Sequence, residues 1–229
     1  MPDRIHSTLL TALPGFALAL AATGWCAWAT GAGLGLFLGA TILAALYVPA
    51  LTVAEPPRMR WTPATAATIA VALCWAVSMN RVDVTSGELF RCTLVFATIA
   101  LALGGVTSAL ARAGVAPSLA AGVVVTIAML WLTWPVWLSH ALTQSRVDRL
   151  VPAHPLMAIN GVVAHLGAWD RAPIAYQKLT VLNQDIPYHL PRSILPATLL
   201  HGAIAAIGFA LARPRHPVPA PLVRADAPV

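Results

Sequence analysis

Long apolar runs that are almost free of charge are the feature that most constrains how this chain can fold. A helix needs about 20 apolar residues to cross the hydrocarbon core of a bilayer. Six runs of roughly that length follow one another, at residues 9–29, 34–53, 63–79, 90–110, 117–138 and 193–212. We therefore predict an all-α integral membrane protein, in which six transmembrane helices form one transmembrane domain over residues 1–212.

The composition agrees with this fold class. Hydrophobic residues make up 59% of the chain and charged residues 10%, whereas soluble domains carry about 25% charged residues. A soluble protein this poor in charge could not cover its surface, but membrane lipid accepts an apolar exterior. The net charge of +6 does not indicate a nucleic-acid partner, because no basic stripe follows any predicted helix.

The placement of arginine and lysine predicts the orientation, since these residues favour the cytoplasmic side of a membrane. With the N-terminus inside, the short outer turns hold Arg81 and Arg91. The inner segments hold Arg4, Arg58, Arg60, Arg112, Arg213, Arg215 and Arg224. Both termini are therefore predicted in the cytoplasm of a bacterium, at its inner membrane, and the proline-rich tail 213–229 is predicted to be disordered.

Tryptophan and glycine add two expectations about packing. Tryptophan favours the membrane interface, which predicts one group at the outer face and Trp61 at the inner face; the outer group is Trp25, Trp28, Trp75, Trp134 and Trp137. Small residues let helices approach closely in lipid. The glycines of the fourth and sixth spans therefore predict close packing within the chain, with a dimer interface as the alternative; they are Gly104, Gly105, Gly202 and Gly208.

Residues 140–192 form an outer loop that is too long and too patterned for a plain connector. Within it, residues 155–166 are mostly apolar and predict a short helix that lies in the interface or dips into the membrane. We expect an ordered cap on the outer surface. The candidate residues for a gate or for docking a partner are His154, Pro155, His165, Trp169, Asp170, Arg171, Tyr188 and His189.

Metal and haem binding are not indicated by the spacing of the candidate ligands. No HxxxH, HxH or CxxC pair occurs, and the histidines are interpreted as interfacial or hydrogen-bonded. His201 is the one histidine clearly inside a span, which makes it either a functional residue or one that reaches water near the outer surface. Cys26, Cys74 and Cys92 lie in apolar runs, where thiols usually behave as small apolar groups. The sequence does not decide whether two of them form a disulfide.

Catalytic motifs for a serine hydrolase, a zinc protease or a nucleotide-binding protein are absent from the sequence. Asp170 and Asp185 could pair with His165 and His189 as the acid–base groups of a membrane enzyme, but nothing in their spacing requires this. No carboxylate lies within a span, which argues against proton-driven transport.

Residues 90–212 carry a family resemblance. Residues 101–112 form a small-residue helix that ends in a basic turn, residues 116–118 begin the next span at once, and His154-Pro155-Leu156 follows in the outer loop. This layout resembles the six-helix permease subunits of the second, export-type class of ATP-binding-cassette transporters, which often have Asn-Pro-Leu in that loop. The chain departs from the family in its short N-terminal segment and its short connection at residues 55–61.

The resemblance implies a permease that binds no cofactor itself and works with a separate ATPase subunit, which would bind the ATP. Arg58, Arg60 and Arg112 would contact this ATPase, and the outer cap would gate release. Two copies, or this chain and a second permease, would pair to form the path. The alternative is a non-transporting membrane subunit or assembly factor whose outer loop docks a partner protein or cofactor.

Overall fold

The computed structural model describes residues 2–30, 33–138, 141–167 and 188–213. These ranges contain α-helices and two short 3-10 turns, Pro57–Met59 and Ala164–Leu166, and no strand. The all-α fold class is therefore confirmed over the described part of the chain. The helices are α1 (Pro2–Thr30), α2 (Leu34–Ala54), α3 (Thr62–Ser78), α4 (Ser86–Arg112), α5 (Pro117–Trp137), α6 (Gln144–Ala153), α7 (Pro155–Val162) and α8 (Leu195–Ala212).

Five helices of the described residues are long and apolar enough to cross a membrane: α2, α3 with its preceding 3-10 turn, α4, α5 and α8. In α1 the apolar stretch is shorter and covers Leu13–Trp28. These lengths and compositions are those of an integral membrane protein.

The bundle has two ends that differ in their connections. We call one the loop end; it carries the α3–α4 turn and the segment between α5 and α8. We call the other the turn end; it carries the α2–α3 connection, the α4–α5 turn and Arg213. At the turn end Gly114 has φ +91°, a conformation that glycine adopts readily, and it lets the chain reverse from α4 into α5.

Two helices begin earlier than the sequence predicted. α4 begins at Ser86, inside a segment predicted to be a turn, because Thr85 and Glu88 form a capping box. The Thr85 hydroxyl accepts a hydrogen bond from the Glu88 backbone N–H at 3.3 Å, and the Thr85 N–H donates to Glu88 Oε2 at 2.8 Å. α1 begins at Pro2, although its span was predicted from residue 9.

Two of the tryptophans predicted at the outer face belong to a buried aromatic core. Trp75 is fully buried, with its ring centroid 4.8 Å from that of Phe37 and 5.7 Å from that of Phe96. Trp134 is also buried. Both lie three residues before the ends of α3 and α5 at the loop end, but neighbouring helices cover them, so they do not face lipid. The remaining four are exposed, as an interfacial position requires; they are Trp25, Trp28, Trp61 and Trp137.

α4 and α8 meet along a seam of small residues. A Cβ added to Gly208 would lie 2.5 Å from the carbonyl carbon of Gly105, and a Cβ on Gly105 would lie 3.0 Å from the carbonyl oxygen of Ala205. Only glycine permits backbones to approach this closely. The predicted close packing within the chain is confirmed at these two glycines.

Five buried threonine and serine hydroxyls are satisfied inside their own helices. Five such side chains each donate to the carbonyl four residues earlier, at 2.7–3.0 Å. They are Thr23, Thr41, Thr52, Thr107 and Ser108. These residues therefore enter the helix contacts as small, nearly apolar groups.

Candidate functional site

A crevice separates α5 from α8. α5 packs against α2 and α4, whereas α8 packs along α4, so α4 forms the floor between them. The crevice has a volume of about 340 Å³. Its lining is aliphatic apart from two side chains at the loop end, Trp131 and His201.

Trp131 and His201 form a hydrogen-bonded bridge between α5 and α8. The Trp131 indole N–H donates to His201 Nε2 at 3.2 Å, and His201 Nδ1 lies 2.7 Å from the Ala197 carbonyl oxygen. Since Nε2 accepts, the network assigns the proton to Nδ1 and makes the imidazole neutral. His201 is buried, and both of its ring nitrogens are hydrogen-bonded within the protein.

His154 joins the segment after α5 to the same tryptophan. Its Nδ1 accepts from the Met157 backbone N–H at 3.3 Å and caps α7, while its Nε2 lies 3.1 Å from the Trp131 carbonyl oxygen. The ring also packs edge-to-face on Trp134, with centroids 5.8 Å apart. Burial lowers the pKa of His154 to about 3, so the ring is neutral at physiological pH.

Both imidazoles therefore use both of their ring nitrogens in hydrogen bonds, as hydrogen-bonded histidines were predicted to do. Binding of a metal by either ring would first break one of these bonds. Over the described ranges, no group of three or more histidine, cysteine, aspartate or glutamate side chains is placed to hold a metal ion.

His165 connects the loop to the α3–α4 turn. Its Nε2 is hydrogen-bonded to the Asp83 carbonyl oxygen, and its Nδ1 lies 3.7 Å from Glu88 Oε1. The sequence had suggested Asp170 or Asp185 as acidic partners, and both lie outside the described residues. The side chain is 41% exposed, so this contact lies at the surface of the loop end.

The other predicted loop residues divide by exposure. Pro155 and Tyr188 are buried, and so is His154. His189 is exposed. Trp169, Asp170 and Arg171 lie outside the described residues, and the prediction that the loop acts as a gate is untested.

The turn end carries the predicted arginines. Arg58, on the 3-10 turn, and Arg112, the last residue of α4, are exposed, whereas Arg60 is half-buried. A second cavity, of about 720 Å³, lies between α4 and α8 at this end and is lined in part by Arg112 and Arg213. Arg213 was not among the predicted site residues.

Trp131 was also missed, although the sequence holds a signal for it. Trp131 lies six residues before the end of α5, and His201 lies six residues after the start of α8. Both are thus about 9 Å from the loop end at a rise of about 1.5 Å per residue. Comparing polar groups at equal depth on all helices, rather than histidines alone, would have paired them.

Comparison of the chain with protein-family models, with curated proteins and with solved structures finds no match.

Proposed function

We propose that this chain is the membrane-spanning permease subunit of an ATP-driven export complex, in which a separate ATPase subunit supplies the energy. The observation that carries the proposal is the crevice between α5 and α8, bridged at the loop end by Trp131 and His201. Interhelical hydrogen bonds in membrane proteins contribute about 0.6 kcal/mol on average. The bridge can therefore break at little cost, and the crevice can widen.

The two sides of the crevice differ in how firmly they are held. α8 is locked to α4 by the close approach of Gly208 to Gly105. α5 and α8 instead face each other across the crevice. Movement of the α4–α8 pair relative to α5 would open a path along this boundary, while the small-residue seam stays intact.

Hydrogen bonds at the loop end connect α7 to the bridge and would couple it to such a movement. His154 caps α7 and bonds to the Trp131 carbonyl, while the Trp131 indole bonds to His201. A shift of α7 would therefore move Trp131 and disturb its hydrogen bond to His201. The histidine stands where the resembled permeases often have asparagine, and asparagine is likewise a good helix N-cap.

The turn end suits contact with an ATPase in the cytoplasm. We place both termini and the turn end inside, at a bacterial inner membrane, and count α1 as the sixth span. Apart from the long segment between α5 and α8, which carries little weight in the positive-inside tendency, the described arginines at the loop end are Arg81 and Arg91. The turn end holds Arg58, Arg60, Arg112 and Arg213. Arg58 and Arg60 flank the short α2–α3 connection, and with Arg112 they form the proposed ATPase surface.

Copurification tests the proposal. The tagged full-length chain is extracted from native membranes in mild detergent, and bound proteins are identified and quantified by mass spectrometry. We expect a stoichiometric ATPase that is lost from Arg58→Glu/Arg60→Glu. The matched control is Arg81→Glu, a charge reversal at the exposed α3–α4 turn of the loop end, which should retain the ATPase.

Two outcomes would overturn the proposal. Equal recovery of an ATPase with the wild type and with the Arg58/Arg60 variant would show that these arginines do not form the coupling surface. Recovery of other membrane or secreted subunits, with no ATPase, would instead support the non-transporting subunit that docks a partner at the loop end.

A further inference from the structure

The two cavities form one groove with different chemistry at its two ends. Both are lined by Val106 and Ile204, so they adjoin. The groove starts at the Trp131–His201 bridge and ends between Arg112 and Arg213. From His201 to Arg213 it follows α8 for about 18 Å, close to the depth of one leaflet, about 15 Å of hydrocarbon.

The walls of the groove suit a hydrocarbon chain. The crevice is aliphatic between α5 and α8. Ile207 and Leu211, which line the part near the turn end, are 60% and 66% exposed. The groove is thus open to the side in the region where a bilayer would surround the protein, and a lipid chain can enter without crossing a polar barrier.

The end of the groove suits an anion. Arg112 and Arg213 both line it and are exposed, and among the described residues neither forms an ion pair with a carboxylate. Guanidinium groups bind phosphate through paired hydrogen bonds. A second copy related by two-fold symmetry would instead bring its own two arginines toward this pair, which like-charge repulsion disfavours.

We propose that this groove binds one anionic phospholipid from the leaflet at the turn end, with its phosphate on Arg112 and Arg213 and an acyl chain extending toward Trp131 and His201. The site goes beyond the proposed export function, because it requires neither an ATPase nor a particular orientation in the membrane. It also gives Arg112 a role apart from the coupling surface, which Arg58 and Arg60 can form without it.

Native mass spectrometry of the full-length protein in an uncharged detergent tests the site. Phosphatidylglycerol and phosphatidylcholine with identical acyl chains are titrated separately. We expect the wild type to retain phosphatidylglycerol preferentially. Arg112→Gln/Arg213→Gln should weaken its binding about 30-fold, and should weaken phosphatidylcholine much less, because choline offsets the charge of that lipid's phosphate. Arg58→Gln/Arg60→Gln, which removes the same charge at the same end but outside the groove, should bind like the wild type.

A second variant probes the chain-binding part. Ala128 lines the crevice from α5, so Ala128→Phe should fill it and weaken both lipids, while unchanged size-exclusion and melting behaviour shows that the protein is folded. Equal phosphatidylglycerol binding by the wild type and by the Arg112/Arg213 variant would overturn the proposal. An equal loss of phosphatidylglycerol binding in the Arg58/Arg60 control, or undiminished lipid binding by Ala128→Phe, would also overturn it. The same holds if inorganic phosphate displaces the lipid, or if the protein is a dimer instead of a lipid-bound single chain.

Discussion

Replacement of Gly208 by alanine tests whether the α4–α8 seam holds the bundle together. The added Cβ would lie 2.5 Å from the Gly105 carbonyl carbon and 2.8 Å from both the Gly105 carbonyl oxygen and the Val106 nitrogen. All three are backbone atoms, which cannot rotate away as a side chain can. Carbon atoms pack best at about 3.5–4.0 Å, so the two helices must separate by about 1 Å.

The size of the effect follows from two opposing terms. Overpacking of a close contact costs about 1–3 kcal/mol, whereas alanine is favoured over glycine in a helix by about 0.8–1.0 kcal/mol. We therefore expect Gly208→Ala to lower the free energy of unfolding by up to about 2 kcal/mol.

Gly202→Ala provides the matched control, because it makes the same change on the same helix. A Cβ at Gly202 would meet Thr98 Cγ2 at 3.9 Å, an ordinary contact, so this variant should be as stable as the wild type or slightly more stable. The free energy of unfolding is measured in mixed micelles by titration with sodium dodecyl sulfate, followed by circular dichroism. Equal stability of Gly208→Ala and Gly202→Ala would refute the conclusion that α4 and α8 are locked by their glycines.

Three further predictions use the same titration. Thr85→Ala should cost about 1 kcal/mol and Thr85→Ser much less, because serine keeps the cap of α4; equal losses would contradict the capping box. The free energy of unfolding of the wild type should fall as the pH drops below about 6.5, by up to about 1.4 kcal/mol per pH unit. In the unfolded chain His154 takes up a proton over this range. In the folded protein it does not, because its pKa is lowered to about 3. His154→Asn keeps a cap without titrating and should have a smaller slope, so equal slopes would refute the assignment. A double-mutant cycle of Trp131→Phe and His201→Ala should give a coupling energy of about 0.6 kcal/mol, and at most about 1.7 kcal/mol. Strictly additive losses of stability would exclude the bridge.

The sequence predicted the apolar helices well, because a bilayer imposes a length that can be counted along the chain. It placed the start of α4 at residue 90, too late, although the spacing of Thr85 and Glu88 is that of a capping box. The burial of Trp75 depends on which helices surround it, which hydropathy does not report. The bridge joins residues 70 positions apart, and only the packing of α5 and α8 around α4 brings them together.

The internal hydroxyl bonds of the buried threonines and serine bear on how the protein is made. Thr41, Thr52 and Thr107 each bond within one helix, so their polar groups are satisfied before any other helix arrives. These three hydroxyls therefore need no neighbouring helix to shield them when their segments leave the translocation machinery for lipid. The order in which the helices are synthesised then has no bearing on whether these groups are satisfied.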